Sequence, residues 1–228
     1  MRILLIAGHG DGDCGAVGNG YYEADLTREV ANLLKDELGK YTDVTVADTK
    51  KDWYKHICKQ GNYFNFKPYD YVLEIHFNSF ADKSANGTEI YVTKSEKSCG
   101  VEENILKGIS NIGFRNRGVI AKNFSLIYYV KKQGVSSALL EVCFISNAND
   151  MKLYQTKKSE IVKAIAEGVA DGFGLKKKEA SFADDCKLLA SEGIINSPDY
   201  WARGRGYSEE NIILLIKKFA NYVRGIGK

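Results

Sequence analysis

The sequence predicts an α/β fold with a mostly parallel central sheet flanked by helices, plus a small all-helical C-terminal module. Three observations predict it. Short, continuous apolar runs recur at 3–7, 44–47, 71–76, 89–93, 126–130 and 138–142, as strands do when helices cover both faces of a sheet. Helical stripes fall between them, the alternation expected of a layered α/β domain. After residue 175 the strand-like runs cease and only helical patterns remain.

Met1-Arg2-Ile3-Leu4-Leu5-Ile6-Ala7 has one positive charge and an apolar run too short for a secretory core or a membrane span, so it reads as the first strand. Leu26, Val30, Leu33, Leu34 and Leu38 then form one apolar stripe that stops at Gly39. Val101, Ile105, Ile109 and Ile112 form a second. Ile161, Val162, Ile165, Val169 and Phe173 form a third, closed by Gly174. The charged run Lys176-Lys177-Lys178-Glu179 separates a domain at 1–175 from a module at 176–228. In the module, 184–192 and 208–223 read as helices, the second with Ile212, Leu215, Ile216 and Phe219 on one side. Between them Ser197-Pro198-Asp199-Tyr200-Trp201 reads as a helix start, with Ser197 as N-cap and Pro198 at the first position. A unit so small must be a tight bundle.

Composition narrows the class. A chain of 228 residues, 44% apolar and 27% charged with two prolines, has the make-up of a soluble globular protein and no internal repeat. Residues 1–175 carry 22 basic and 22 acidic side chains, whereas 176–228 carry 10 and 7. That surplus is too thin for nucleic acid, which calls for a concentrated basic stripe. It is compatible with loose attraction to an anionic polymer. The five cysteines (14, 58, 99, 143 and 186) form no CxxC pair, and their odd number argues for reduced thiols.

Two of the three histidines share an address. In Leu73-Glu74-Ile75-His76-Phe77-Asn78, His76 ends a buried strand, and in Ile6-Ala7-Gly8-His9 the first strand ends at His9. That C-terminal lip is where sites gather in open α/β sheets. A loop with five further glycines follows His9, and Glu23 then opens the first helix. In Ala138-Leu139-Leu140-Glu141-Val142, Glu141 interrupts an apolar strand; a carboxylate there is paired, protonated or catalytic. Together these residues point to one Zn²⁺ held by His9, Glu23 and His76 with an open fourth position, and to Glu141 as proton carrier. No local HExxH-type motif supports the grouping, and residues alone leave open two hydrogen-bonded core histidines with unrelated glutamates.

The same stretches resemble the zinc-dependent N-acetylmuramoyl-L-alanine amidases of the Amidase_3 type. Gly8-His9-Gly10 and Asp13-Cys14-Gly15-Ala16 match the family's opening loop, Glu23 its first-helix glutamate, and Ile75-His76-Phe77-Asn78 its IHxN motif. Gly87-Thr88-Glu89-Ile90-Tyr91 and Arg117-Gly118-Val119 have counterparts, and 139–147, LLEVCFISN, resembles the family's LLExGFISN. The likeness covers residues 1 to about 175. It implies an α/β fold, zinc held by His9, Glu23 and His76, and Glu141 catalytic. The implied reaction cuts the amide between the lactyl group of N-acetylmuramic acid and L-alanine in bacterial peptidoglycan. Cys14 replaces the family's usual proline, as an inert loop residue or a rival soft ligand. Cys143 replaces a glycine, with packing its expected role. Glu74, on the same strand face as His76, is expected to hydrogen-bond a ligand, its alternative being a rival for proton transfer. Asn78 binds substrate or shapes its loop. His56 and Cys58 are two apart on a surface helix and do not face each other.

The segment Glu192-Gly193-Ile194-Ile195-Asn196 through Gly204 resembles a small module of clostridial and phage lytic enzymes, which implies cell-wall binding. Tyr200, Trp201 and Tyr207 could stack on sugars there, or Trp201 could be the bundle's core. An amidase with no secretory segment and no membrane insertion fits a clostridial phage endolysin, made in the cytoplasm and acting on the wall after release; a host autolysin or mother-cell lysis enzyme is the rival setting. A zinc peptidase cutting the stem peptide or cross-bridge, a catalytically silent wall-binding protein and a thiol hydrolase using Cys14 are the competing functions.

Overall fold

The computed structural model describes residues 1–178 and 182–223. The chain divides into two compact units, Met1–Lys177 and Lys178–Lys228. The charged run that separates them in sequence ends at Glu179, which lies outside the described residues.

The first unit is an α/β layer structure. Its elements are β1 (Arg2–Ala7), a two-strand hairpin of β2 (Val17–Gly18) and β3 (Tyr21–Tyr22), α1 (Glu23–Gly39), β4 (Asp43–Val46) and a π-helical segment at Tyr54–Lys59. There follow β5 (Tyr71–Asn78), β6 (Thr88–Val92), α2 (Gly100–Ile112), β7 (Asn116–Ala121), α3 (Ser125–Lys132), β8 (Ser136–Phe144) and α4 (Ala148–Phe173). The sheet order is β4-β1-β5-β8-β6-β7. Every pairing is parallel except that of β6 with β8. The mostly parallel sheet expected from the apolar runs is therefore present.

Side chains alternate along each strand, so β1 feeds two cores. Ile3, Leu5 and Ala7 pack beneath α1, α2 and α4, whereas Leu4 and Ile6 pack beneath α3 and the π-helical segment with Trp53, Ile57 and Phe66. The same alternation in β5 sends Leu73 and Ile75 into the larger core. Glu74 and His76 thus point to the smaller one, and Glu141 shares that face because Leu140 and Val142 take the other. The α1 stripe of Leu26, Val30, Leu34 and Leu38 is buried as its spacing requires, while Leu33 stays exposed. Cys143 lies in the larger core, and all five cysteines are free thiols.

Two local expectations are corrected. The apolar run 126–130 is not a strand but helix α3: Leu126, Ile127 and Val130 lie on one helical face and cover the sheet. A run of five apolar residues has no periodicity to separate the two forms. Strand β7 went unrecognised because an edge strand with exposed Asn116 and Arg117 lacks an apolar run. In the second unit, α5 (Phe182–Ser191), α6 (Pro198–Ala202) and α7 (Glu209–Val223) are all helical, and α6 starts as expected with Ser197 at the N-cap and Pro198 first, although the Ser197 side chain makes no capping bond. Ser208 instead accepts a bond from the Asn211 N–H at the start of α7 (3.2 Å). Trp201 packs with Cys186, Ile194, Ile195 and Leu215 as part of that unit's small core.

Helices α2 and α4 approach closely at Gly168, where a Cβ would lie 2.6 Å from the Ile105 backbone. Alanine is normally better than glycine inside a helix by about 1 kcal/mol. Here the obstacle is main chain, so overpacking of about 1–3 kcal/mol outweighs that gain. Gly168→Ala should lower the urea midpoint at an unchanged slope; a raised midpoint would show that the two helices can separate freely.

Candidate metal centre

Three elements deliver the site to one edge of the sheet. His9 follows β1 by two residues and adopts a left-handed backbone (φ 63°), which is uncommon for a residue with a side chain. His76 stands near the end of β5, the strand hydrogen-bonded beside β1. Glu23 is the first residue of α1, placed on a rigid platform by the hairpin that precedes it.

Glu23 joins the two imidazoles. Its Oε1 lies 2.9 Å from His76 Nδ1 and its Oε2 lies 3.0 Å from His9 Nε2. The same oxygens accept backbone N–H bonds from Phe77 (3.0 Å) and Ala16 (2.9 Å). The rings stand edge to face with centroids 4.9 Å apart. Gly15 has φ 67° and leaves the room this requires, since a Cβ there would lie 2.6 Å from His9 Cδ2 and 2.8 Å from Glu23 Oε2. One donor atom from each of His9, Glu23 and His76 falls within 4.8 Å of the others.

Each imidazole is also held on its far side. His9 Nδ1 meets Asp13 Oδ2 at 2.8 Å, and His76 Nε2 meets Glu74 Oε1 at 3.1 Å. Glu74 therefore sits where its shared strand face with His76 requires. Asp13 was unassigned in the sequence; its four-residue separation from His9 across a glycine-rich loop gives no periodic signal. Its outer oxygen Oδ1 accepts the Gly15 N–H at 2.9 Å, which closes the loop.

Glu141 pairs with His76 across β5 and β8 and with Glu89 across β8 and β6, giving one row over three strands. Glu89 accepts bonds from Asn78 Nδ2 (2.6 Å), Tyr91 Oη (2.7 Å) and Arg117 Nε (2.5 Å). Asn78 Oδ1 accepts the Ser79 N–H at 2.8 Å, so Asn78 both shapes its loop and borders the cleft. The buried oxygens Glu74 Oε2 and Glu141 Oε2 have no hydrogen-bond partner among the described residues. A cleft of about 600 Å³ contains His9, Glu23, His76, Glu74 and Glu141, with Trp53, Tyr54 and Phe124 in its walls.

The electrostatics follow from burial and pairing. Burial pushes the Glu141 carboxyl up to about 8, with Glu23, Glu89 and Glu74 adding to the rise against the opposing pull of His76. Burial also resists ionisation of Glu23, but the bonds from His76 and His9 prevail and hold it far below the usual carboxylate range. For His76, burial disfavours the cation, yet Glu23 and Glu74 raise it well above 6.5. Four carboxyl groups surround the two imidazoles, and two of their buried oxygens are unpartnered among the described residues. Two nitrogens and a carboxylate oxygen converging there fit a divalent ion, zinc above all. Cys14 is not in the cluster; its exposed thiol approaches the Gly15 carbonyl (3.4 Å). His56 is outside the cluster too, in contact with Asn62 and Trp53.

The raised His76 value has a consequence for the metal-stripped protein. Its contribution to stability is complete below the unfolded histidine value of about 6.5 and fades as pH rises through the folded one. Glu74→Gln removes one raising partner, so nitrogen NMR of chelator-treated protein should show His76 losing its proton at lower pH than in the parent chain. An unmoved titration would disconnect Glu74 from His76.

Residues 3–171 match the family model described as N-acetylmuramoyl-L-alanine amidase, Amidase_3. Among curated relatives, N-acetylmuramoyl-L-alanine amidase LytC of Bacillus subtilis (strain 168) is 31% identical over 172 residues, covering 73% of this chain but 34% of LytC. The chain thus spans about a third of that relative. The endolysin of Bacillus phage SPP1 is 27% identical over 200 residues, with 84% of this chain and 73% of the endolysin covered. Among solved structures, the catalytic domain of CwlV from Bacillus (Paenibacillus) polymyxa var. colistinus superposes with a TM-score of 0.61 at 24% identity, covering 77% of this chain and 99% of that one, which shows a shared fold. A family match over most of the chain, together with this fold, makes the protein a member of the Amidase_3 family of N-acetylmuramoyl-L-alanine amidases.

Proposed function

We propose that the chain is a zinc-dependent peptidoglycan hydrolase that cleaves the amide between the lactyl group of N-acetylmuramic acid and L-alanine. The observation that carries this reading is Glu141: a buried carboxylate with an unpartnered oxygen, in the same cleft as the His9–Glu23–His76 cluster. His9 Nε2, His76 Nδ1 and the Glu23 carboxylate, the atoms that already face one another, would hold one Zn²⁺ per chain. Zinc bound at such a site lowers the pKa of water to about 7 and polarises the scissile carbonyl.

The chain's own residues supply the rest. Glu141 takes the proton of the attacking water and delivers it to the departing alanine nitrogen. Burial favours this two-way role, because a carboxyl held near 8 both accepts and releases a proton around neutral pH. Asp13 and Glu74 would go on accepting the outer N–H of His9 and His76 once the metal is bound, so that His9 Nε2 and His76 Nδ1 could give up their protons and serve as ligands. Asn78, fixed by Glu89, and the aromatic wall of Trp53, Tyr54 and Phe124 border the space for substrate.

Glu141→Ala should retain zinc by elemental analysis yet lose wall hydrolysis by on the order of 10² or more. His76→Ala should lose the metal as well, and a chelator should abolish activity until zinc is restored. Mass spectrometry of digested muropeptides decides the bond: a new N-terminal alanine with a free lactyl carboxyl supports the amidase, whereas cuts within the stem would make it a peptidase. Normal activity in Glu141→Ala would leave only a role outside proton transfer for that residue.

The setting belongs to the same proposal. Similarity to the SPP1 endolysin supports a lytic enzyme, with a clostridial phage endolysin as the reading we adopt. No helix among the described residues is long and apolar enough to cross a membrane. The helical unit serves as the wall-binding module, supported by a cavity of about 330 Å³ bordered by Tyr200, Trp201, Asn196, Asn211 and Lys218. Aromatic faces beside amides suit sugar rings. Tyr200→Ala should reduce retention on insoluble walls and leave hydrolysis of a soluble muramyl peptide unchanged; equal retention would remove the cavity from the binding role.

A further inference from the structure

We infer that Arg28 is a positioning residue for the metal centre, its guanidinium clamping the backbone on both sides of His9 so that the imidazole is held toward Glu23. The inference rests on the zinc reading above.

Arg28 lies on α1, five residues after Glu23, and directs its donors chiefly at main-chain oxygens. Nη2 donates to His9 O (2.8 Å), Nη1 to Gly8 O (3.0 Å) and Ala24 O (2.7 Å), and Nε to Thr49 O (2.9 Å). Among the described residues no carboxylate forms an ion pair with it; Asp25 and Asp52 act on it only at longer range. A half-buried guanidinium whose acceptors are four main-chain carbonyls and the Thr27 hydroxyl (3.3 Å), with no carboxylate among them, is a geometric device, using the planar fork of arginine rather than its charge.

The strand end needs such a device. His9 has φ 63° and Gly10 has φ 113°, so the chain turns through two left-handed residues immediately after β1. A histidine gains nothing intrinsic from that conformation and persists in it only when its surroundings impose it. Gly8 O also receives the Thr27 hydroxyl (2.9 Å), but among the described residues His9 O has Arg28 alone. The clamp therefore ties the peptide carrying one ligand to the helix carrying another; Glu23 also links that helix to His9, but through the imidazole, and among the described residues Arg28 alone holds the His9 carbonyl. Gly10 is the complementary feature: a Cβ there would lie 2.0 Å from Arg28 Nη2.

Zinc affinity of the purified full chain, measured by competition with a chromophoric chelator, tests this together with the zinc release rate. Arg28→Lys keeps the charge but cannot span the same carbonyls, so it should weaken zinc binding by about tenfold or more, the range seen when a ligand's supporting bond is lost. At saturating zinc its kcat should stay within a few-fold of the parent. Leu34→Ala, in the buried face of the same helix, controls for stability: it should lower the Tm while leaving zinc affinity within about twofold. Gly10→Ala should mimic Arg28→Lys in the parent chain and add less in an Arg28→Ala background, because the displaced group is gone. Parent binding with an unchanged Arg28→Lys affinity, or a loss that merely tracks Tm as in Leu34→Ala, overturns the inference alone. A parent chain that binds no zinc overturns the reading beneath it and this inference with it.

Discussion

The Glu23 carboxylate is the junction on which the rest of the site depends. Its two oxygens take four hydrogen bonds: one imidazole and one backbone N–H each. Those four donors come from the β1 lip, the glycine-rich loop and β5, and Glu23 itself begins α1. One side chain thus brings the lip of β1, the loop that follows it and the distant β5 to a common point. Burial opposes an ionised carboxylate there, and only full pairing makes it tolerable. The arrangement is consequently all-or-none: removing either histidine leaves a buried charge short of a partner, which is worse than never having placed it.

Much of this centre was legible because strand ends and helix starts are. His9 and His76 follow apolar runs, Glu23 precedes an apolar stripe, and Glu141 breaks one. Each is conspicuous as a polar residue where periodicity calls for an apolar one. The fold class followed from the same runs, as did most helices. Supporting residues were not legible. Asp13 reaches His9 through a loop whose course depends on several positive-φ residues, and Arg28 looks like an ordinary exposed position of an amphipathic helix. Glu89 carried a faint signal, since it alternates with Ile90 in a strand whose other face is buried, but nothing in the sequence sets that strand beside Glu141. Long-range partners are decided by strand order, which local pattern does not encode.

That strand order also explains how so many acidic groups share one lip. In a purely parallel sheet, only the C-terminal ends of strands face a common edge, and each strand offers one or two residues there. Strand β6 runs the other way against β8, so its beginning, not its end, meets the end of β8. Glu89 is thereby placed beside Glu141, and β7 follows parallel to β6 with Arg117 positioned to pair with Glu89. The reversed edge extends the row His76–Glu141–Glu89 across three strands.

The row has an electrostatic logic. Arg117 and Tyr91 stabilise the charge on Glu89, and a charged Glu89 in turn disfavours ionisation of its neighbour Glu141. Among the described residues Glu141 has no such donors: one of its oxygens is unpartnered, and its register neighbours are a glutamate on one side and a histidine committed to other carboxylates on the other. Two glutamates separated by a single strand spacing are therefore treated differently: one is bound by three donors, and the other is buried with an unpartnered oxygen and its carboxyl pushed up. An unequal supply of donors sets neighbouring carboxyls in different environments. Here it comes from where the donors are: Arg117, Tyr91 and Asn78 all reach Glu89, and none reaches Glu141.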